Sequence, residues 1–576
     1  MPIEPSPPAS PRVPDDNPAE RLGSWKAIAA YLQRDVSTVQ RWEKREGMPV
    51  HRHLHAKLGS VYGFRSELDA WWHDRRLRLE PRRERPVRRR SLAAAGFALL
   101  FVIAVVVVAS LQRTIGTGPT ISSLAVLPLD NLSGDPAQEY LADGMTEALI
   151  GRLAQIQTLR VVSRRSVMTF KGNRKPLNEI GQQLGVDALL DGSVQKSGDR
   201  VRIALQLIHV GTDTHLWARS YERGVGDTLK LQAELAYAVG EEIRIRLTAD
   251  ERARLASNTE VNPLAHQEYL VGRYHLWRDD EENLKQAITH FERATKIDPG
   301  YAPAFAGLSH AWWALGMWGP MSLEAAESPA RAAAQQALTL DSRLAEAYVV
   351  QADMKRLYDR DLTGAEMMVT RALALDPNNV DAHFTYALTL MALGRFPEAI
   401  GQIESAEQLD PLSPAIQSVF GRILYRARRF GDAVPHLHRA LELEPGLASV
   451  YVRLGDVYDQ MGQYDHALAA YQKAAGEGRI YHARLARIYA RMGRTADAKQ
   501  TLRDLETTPG GVPPGYGAAA YAALGDRDRA FALLFAMVDR GGDEPLYLTV
   551  DPPFDILHAD PRWHELLRRV AAPSKR

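Results

Sequence analysis

The 576-residue sequence predicts a multidomain chain with four structured parts: a small winged helix-turn-helix, one transmembrane helix, an α/β domain and an all-α superhelix of helical repeats. Three observations carry this reading. Alanines recur every 34 residues in the second half, at Ala365, Ala399, Ala433 and Ala467. Residues 91–111 run for 21 positions without a charge. The chain's formal charge is only +1, yet residues 1–90 carry nineteen Lys/Arg against twelve Asp/Glu. The near-neutral total therefore hides a basic front and an acidic remainder, and function has to be read by position. With no cysteine in the chain, disulfides, thiolate zinc sites and cysteine nucleophiles are excluded.

Residues 1–20 hold seven prolines and read as a disordered leader. From Ser24 to Leu32, apolar Trp25, Ile28, Ala29 and Leu32 have helical spacing. A short turn follows, and Asp35 is placed to cap a second helix, VSTVQRWEKRE. Val36, Val39 and Trp42 share its inner face. Ser37, Gln40, Arg41, Lys44 and Arg45 share the outer one. A basic, polar outer face on the second of two short helices suits the major groove, where Arg reads guanine, Gln reads adenine, and Lys and Ser hold phosphate. MPVHRHLHAKLGSVYGF then reads as a hairpin turning near Lys57–Ser60, with Arg52 and Lys57 on the wing. Ser66 and Asp69 have the spacing of a capping box for a closing helix. His51, His53 and His55 alternate along one strand and do not converge on a tetrahedral ion, so no metal site is expected.

This stretch, about 21–74, resembles the small winged helix-turn-helix of the MerR and excisionase type through Ser37-Thr38-Val39-Gln40-Arg41-Trp42. The resemblance implies DNA binding, as a dimer on paired half-sites. A basic helix that docks cytoplasmic protein is the other reading.

Residues 75–90 hold nine Arg and two Glu and form an Arg-rich linker before the apolar run 91–111. At ~1.5 Å per residue that run spans a ~30 Å hydrocarbon core. Only Arg113 follows closely, so the positive-inside rule keeps the amino terminus cytoplasmic and exports the rest across a bacterial inner membrane.

Beyond it, SLAVLPL reads as a strand, and AQEYLADGMTEALIGRLAQI as a helix with Leu141, Met145, Leu149, Leu153 and Ile156 on one side. LRVVSRRSV reads as a second strand and LNEIGQQLGV as a second helix. A hairpin then turns at Ser197-Gly198-Asp199, with Val201, Ile203, Leu205 and Leu207 pointing inward. DNLSGDP has one glycine and no phosphate-loop spacing, so it is a plain connection. AVLPLDNLSGDPAQEYLADGMTEAL, LGVDALLDGSV and HLWARSYER resemble the TolB amino-terminal-like, FlgO-type domain over about 121–248. That resemblance implies a non-catalytic envelope domain between a membrane helix and a repeat array.

Ala372, Ala406, Ala440 and Ala474 repeat the 34-residue interval. Asp298, Asp341, Asp376, Asp410 and Glu444 punctuate it at 43, 35, 34 and 34 residues, and Gly394/Phe396 and Gly462/Tyr464 mark turns. Small residues at helix crossings with this period give the tetratricopeptide signature, so seven or eight units are expected over 263–570, ending in a cap. The 43-residue interval predicts a longer inter-helix loop near MWGPMSLEA. Tyr451, Tyr458, Trp312 and Trp313 are expected in the core, and His436-Leu437-His438 as a surface pair. Stacked units form a concave groove for a protein or peptide partner.

No P-loop, GxSxG, HExxH or dinucleotide fingerprint is present, so no enzyme activity, cofactor or catalytic residue is expected. The layout resembles the ToxR/CadC type of transmembrane one-component regulator, which implies a cytoplasmic DNA reader coupled to an exported sensor. The alternative is a single-pass envelope scaffold that binds protein through its groove and does not touch DNA.

Overall fold

The computed structural model describes residues 20–52, 60–78, 121–173, 175–243, 247–256, 261–278, 280–318, 321–474, 478–540 and 544–571. The expected membrane segment 91–111, residues 79–90 of the Arg-rich linker, residues 1–19 of the leader, and Lys57, His53 and His55 lie outside them. Among the described residues no helix is long and apolar enough to cross a membrane. The chain divides into two compact units, Met1–Gly116 and Thr117–Arg576.

The first unit comprises β1 (Arg21–Leu22), α1 (Trp25–Tyr31), α2 (Val36–Glu46), β2 (His51–Arg52), β3 (Val61–Phe64) and α3 (Arg65–Arg78). Ser24 and Asp35 cap α1 and α2 by accepting the amides of Ala27 at 3.1 Å and Thr38 at 2.8 Å. The antiparallel sheet runs β1-β3-β2, with His51 opposite Tyr62 and Arg21 opposite Phe64. Ile28, Val39, Trp42 and Leu68 form the core, and Trp42 meets Trp71 and Trp72 at centroid distances of 5.7 and 5.2 Å.

Three details differ from expectation. A strand, β1, precedes Ser24. Helix α3 starts at Arg65, which leaves Ser66 inside the first turn, and Asp69 accepts the Tyr31 hydroxyl at 2.8 Å. Helix α3 also continues past residue 74, and Arg75 lies 4.1 Å over Trp42 while donating to Glu46.

The second unit opens with β4 (Ser123–Val126), β5 (Asp130–Asn131), α4 (Glu139–Leu153), β6 (Arg160–Val161), α5 (Arg164–Met168), α6 (Leu177–Leu184), β7 (Ala188–Ser197), β8 (Arg200–His209), β9 (Thr214–Gly224), α7 (Thr228–Glu242) and α8 (Ala249–Ala256). The sheet order is β6-β4-β7-β8-β9, with β5 also on β7. Strand β4 is parallel to both neighbours, whereas β7, β8 and β9 form an antiparallel meander. The expected inward residues of α4 and β8 are buried. Only glycine fits at 192, because a Cβ there would come 2.1 Å from the Ala204 carbonyl oxygen on the paired strand.

The second expected strand is shorter than LRVVSRRSV. Ser163 accepts the Ser166 amide and turns the chain into α5 after Val161.

Eight helix pairs follow. The first three are α9 (Pro263–Leu276) with α10 (Glu281–Ile297), α11 (Ala302–Trp318) with α12 (Leu323–Leu340), and α13 (Ala345–Met354) with α14 (Leu362–Leu375). Next come α15 (Val380–Ala392) with α16 (Phe396–Leu409), α17 (Pro414–Arg426) with α18 (Phe430–Leu443), and α19 (Ala448–Gln460) with α20 (Tyr464–Lys473). The last pairs are α21 (Arg479–Arg491) with α22 (Thr495–Thr507), and α23 (Pro514–Ala523) with α24 (Arg527–Arg540). Two 3₁₀ turns, Glu544–Tyr547 and Pro552–Leu557, lead to α25 (Pro561–Ala571).

The recurrent Ala365, Ala399, Ala433 and Ala467 are fully buried at crossings. Positions one repeat apart hold the left-handed turn between paired helices: Gly394 and Gly462 at φ 73°, with Arg360 and Arg428 at 54° and 62°. The long 43-residue interval has another origin than a loop. Helices α11 and α12 have 17 and 18 residues, against 13 and 14 for α15 and α16, so the extra length is one helical turn in each.

Candidate docking groove and nucleic-acid interface

On α2, Arg41, Lys44 and Arg45 are exposed and make no ion pair among the described residues, while Gln40 is half-buried. Ser37 is engaged locally. Its hydroxyl donates to Asp35, and with the Thr38 amide and hydroxyl it holds that carboxyl at about 2. Arg52 is 2.9 Å from Glu43 on α2, so its charge is matched within the head. His51 pairs with Glu67 at 2.7 Å and stacks on Tyr62, which gives it a packing role. The outward cations that the structure brings together are thus Arg41, Lys44 and Arg45.

In the second unit the first helices of successive pairs pack on one another more than the second helices do, which makes them the inner wall of the superhelix. Two bodies close parts of that wall. The α/β domain meets its beginning, where Arg273 of α9 bridges Glu147 of α4 and Glu346 of α13, the latter at 2.7 Å. Trp277 donates to Glu147 at 2.9 Å, and His310 contacts Glu346 at 3.0 Å. Burial alone would raise the Glu346 carboxyl, but Arg273 and His310 hold it down at about 2.

The same domain is hydrogen-bonded to two inter-pair turns. Asn378 donates to the carbonyls of Ala154 and Leu159 at 2.7 and 3.0 Å, and the Ser163 amide donates to Leu409 at 2.7 Å. Ser166 donates to the buried Asp410, whose carboxyl burial pushes up.

The second body is the chain's own segment 544–557, which lies across the inner wall of pairs three to five. Leu546, Tyr547 and Val550 join the core that contains Leu388, Met391, Phe420 and Ile423. Arg426 sits 4.2 Å over the Tyr547 ring and donates to Asp551 at 2.6 Å. Arg356, on a π-helical turn that extends α13, donates to the Tyr547 hydroxyl at 3.4 Å. Arg428 reaches Asp555 and the Val550 carbonyl. The concave groove expected from the repeats is therefore filled over its central part by the tail of the array.

Further along, Arg484 and Arg487 converge on Asp456 at 3.2 and 2.8 Å, and Arg487 also reaches Asp459 at 2.8 Å. A cavity of about 300 Å³ opens beside pairs seven and eight, lined by Arg479, Ile480, Pro513, Tyr516, Arg540 and Glu544 among others. Among the described residues no group of three metal-binding side chains is found. Trp312, Trp313, Tyr451 and Tyr458 are half-buried at the edges of the repeat cores. His436 is not a free surface residue: it stacks on Phe420 at 3.8 Å and bonds Gln417 at 2.9 Å.

None of the inner-wall arginines was singled out from sequence. A signal exists, since Arg422 and Asp456 lie 34 residues apart in register, where the preceding repeat has Leu388. Charge at a position that is apolar one repeat earlier marks the wall.

The family model for the tetratricopeptide repeat matches residues 356–423 and 424–479. The carboxy-terminal half is thus a tetratricopeptide array, preceded by an α/β region. The chain is 38% identical over 191 residues to "Putative adenylate cyclase 3" of Rhizobium meliloti (strain 1021), covering 33% of this chain and 32% of that protein. It spans about a third of that relative's length. It is 24% identical over 329 residues to "TPR repeat-containing protein YpiA" of Bacillus subtilis (strain 168), covering 55% of this chain and 72% of that one. Among solved structures it is similar to Pseudomonas aeruginosa pilF, at 19% identity and a TM-score of 0.30, covering 37% of this chain and 94% of that one.

Proposed function

We propose that this chain is a protein-interaction scaffold whose tetratricopeptide array holds a protein partner at the opening between pairs seven and eight and the start of segment 544–557. The observation that carries this reading is the cavity of about 300 Å³ beside pairs seven and eight, where Tyr516 and Ile480 offer aromatic and apolar surface between arginines. Mixed aromatic, Arg and apolar lining is the chemistry of interface hot spots. The test places a photo-crosslinking residue at Ile480 of the full chain in cells, with a second at Met367 on α14; the two side chains are 46% and 58% exposed. A discrete adduct from 480 and none from 367 is expected. Equal labelling, or labelling from 367 alone, sinks the scaffold reading.

One observation favours a second role, as a membrane-tethered transcription regulator. Arg41, Lys44 and Arg45 present unmatched charge on one exposed helix face, and the short β2–β3 hairpin flanks it. In this reading the head, residues 21–74, binds DNA as a homodimer from the cytoplasmic side of the inner membrane. Residues 91–111 cross the membrane and the array lies in the periplasm. Arg41→Glu in the full chain should then weaken DNA binding at least tenfold. The parent's affinity should fall steeply with salt, log K dropping by ~0.9 per phosphate contacted for each log of salt. Salt-independent binding, or an unaffected Arg41→Glu, removes this role.

A further inference from the structure

The two edges of the sheet in the second unit are in opposite states. The array closes the β6 edge: the Ser163 amide, just past β6, donates to the Leu409 carbonyl at 2.7 Å, and Arg160 donates to the Gln408 carbonyl at 2.7 Å. Strand β9 forms the other edge. It has 11 residues and no proline, and over 218–220 it is exposed on both faces.

The register decides which backbone groups of β9 face outward. The Ala204 carbonyl points across to Gly192 on β7. Antiparallel strands alternate, so Ile203 and Leu205 turn their groups to β9 and bond their partners Tyr221 and Arg219. Ala218, Ser220 and Glu222 therefore hold their N–H and C=O groups to the open side. Among the described residues, the Glu222 carbonyl takes the Arg223 guanidinium at 2.9 Å, and the outward groups of Ala218 and Ser220 have no bond. Such a row of open groups is a template for one more strand.

The side chains select that strand. Trp217, Arg219, Tyr221 and Arg223 alternate along the core side, opposite Leu207, Leu205, Ile203 and Val201. Turned end over end about Ser220, this run meets itself with Arg219 opposite Tyr221 and Trp217 opposite Arg223, a cation against an aromatic ring each time. Arg219 is exposed and has no carboxylate partner among the described residues; it lies 5.8 Å over its own Trp217 ring. Arg223 is held by Glu234 at 3.0 Å. A turn about Arg219 or Tyr221 would set Arg against Arg, and one about Glu222 would set Glu against Glu, both disfavoured by like-charge repulsion.

We infer that β9 is a dimerisation edge. A second copy of this chain adds its own β9 antiparallel, with Ser220 on the twofold axis, and the two sheets become continuous. The occupant is a second copy because the strand is complementary to itself in this one register. The pairing depends on neither the groove partner nor DNA.

The chain has no cysteine, so an introduced thiol reports without background. Full-length variants are treated in cells with a mild oxidant and read as covalent dimer. Opposed residues of a hydrogen-bonded pair lie ~5.5 Å apart at Cα, within disulfide reach. Ser220→Cys should give a dimer on its own. Ala218→Cys and Glu222→Cys should give one when co-expressed. Ala218→Cys alone should give little, since its two copies would lie ~13 Å apart. Ser220→Pro removes an amide that gives nothing to β8, a change that an edge strand tolerates. Added to the 218/222 pair, it should abolish the adduct and leave the denaturation midpoint in place. If that variant does not fold, Arg219→Glu, at an exposed side chain, should reduce the adduct about tenfold. Absence of a Ser220→Cys dimer, an equal yield from Ala218→Cys alone, or an adduct that neither Ser220→Pro nor Arg219→Glu reduces overturns the pairing. A Ser220→Cys adduct with a different protein in place of the dimer overturns the second copy as the occupant.

Discussion

Arg273 and Arg453 lie on first helices of the same array, one near its beginning and one near its end, and their surroundings are opposite. Arg273 is held between two carboxylates, one of them from the α/β domain, in a contact that also engages Trp277 and His310. Among the described residues, Arg453 has a single hydrogen bond, from Nε to the Ser418 hydroxyl at 3.0 Å. Where the α/β domain closes the wall, it supplies one of the two carboxylates around Arg273. Further along, the repeats supply their own, with Asp456 and Asp459 taking Arg484 and Arg487. The difference teaches that charge on the inner wall is balanced partly by what covers it and partly by the repeats themselves.

The comparison is broken most severely by removing the balanced arginine. Arg273→Met leaves Glu346 with His310 alone and Glu147 with Arg164 at 3.7 Å, and losing the buried cation of such a cluster costs up to ~3–5 kcal/mol. The chemical denaturation midpoint of the full chain should fall accordingly, with the contact between α4 and α9 opening first in hydrogen exchange. A variant as stable as the parent would show that the balance is incidental.

A smaller effect tests the second seam between the α/β domain and the array. Asp376 ends α14, two residues before Asn378, whose side chain holds Ala154 and Leu159. Burial pushes the Asp376 carboxyl up to about 6, against the opposing hydrogen bonds of Asn379 and Asn378. Its folded value thus lies above its unfolded one. The associated stability is present in full below about pH 4 and is lost as pH rises through 6, a change of ~2–3 kcal/mol. Asp376→Asn should remove that dependence, so that denaturation midpoints at pH 4.5 and 7.5 draw together. An unchanged pH profile would place the loss at another group, with Asp410, also pushed up by burial, the next to replace.

What could be read in the sequence follows from the range of each interaction. The repeats were legible because a helix crossing needs a small residue at a fixed interval, and Ala365 to Ala467 report that directly. Helix α2 was legible because capping by Asp35 and burial of Val39 and Trp42 are local. Strand β9 was not, since Trp217 is its only buried residue and the rest reads as a polar loop. Helix α5 was hidden behind the strand-like stretch Leu159-Arg160-Val161-Val162, and Ser163 betrays its start. The docking of Asn378 on Ala154, or of Tyr547 on Arg426, joins residues more than a hundred positions apart and leaves no local pattern. The groove could be expected, but not its occupation by segment 544–557.

The smallest effect sharpens the contrast between the inside of the array and its outside, using one residue type for both. Gly455 on α19 faces its partner helix, and a Cβ there would come 2.2 Å from the Tyr471 ring, which is fully buried and cannot move aside. Gly455→Ala should destabilise by ~1–3 kcal/mol through overpacking. Gly401 on α16 is exposed, with nothing within 4 Å of the position a Cβ would take. Gly401→Ala should therefore stabilise by ~0.5–1 kcal/mol, because alanine restricts the unfolded chain and suits a helix interior. Opposite shifts in denaturation midpoint are expected from the same methyl group. If both variants shift the same way, the close approach of α19 and α20 is looser than the 2.2 Å contact requires, and the inner wall that holds Arg453 is correspondingly less fixed.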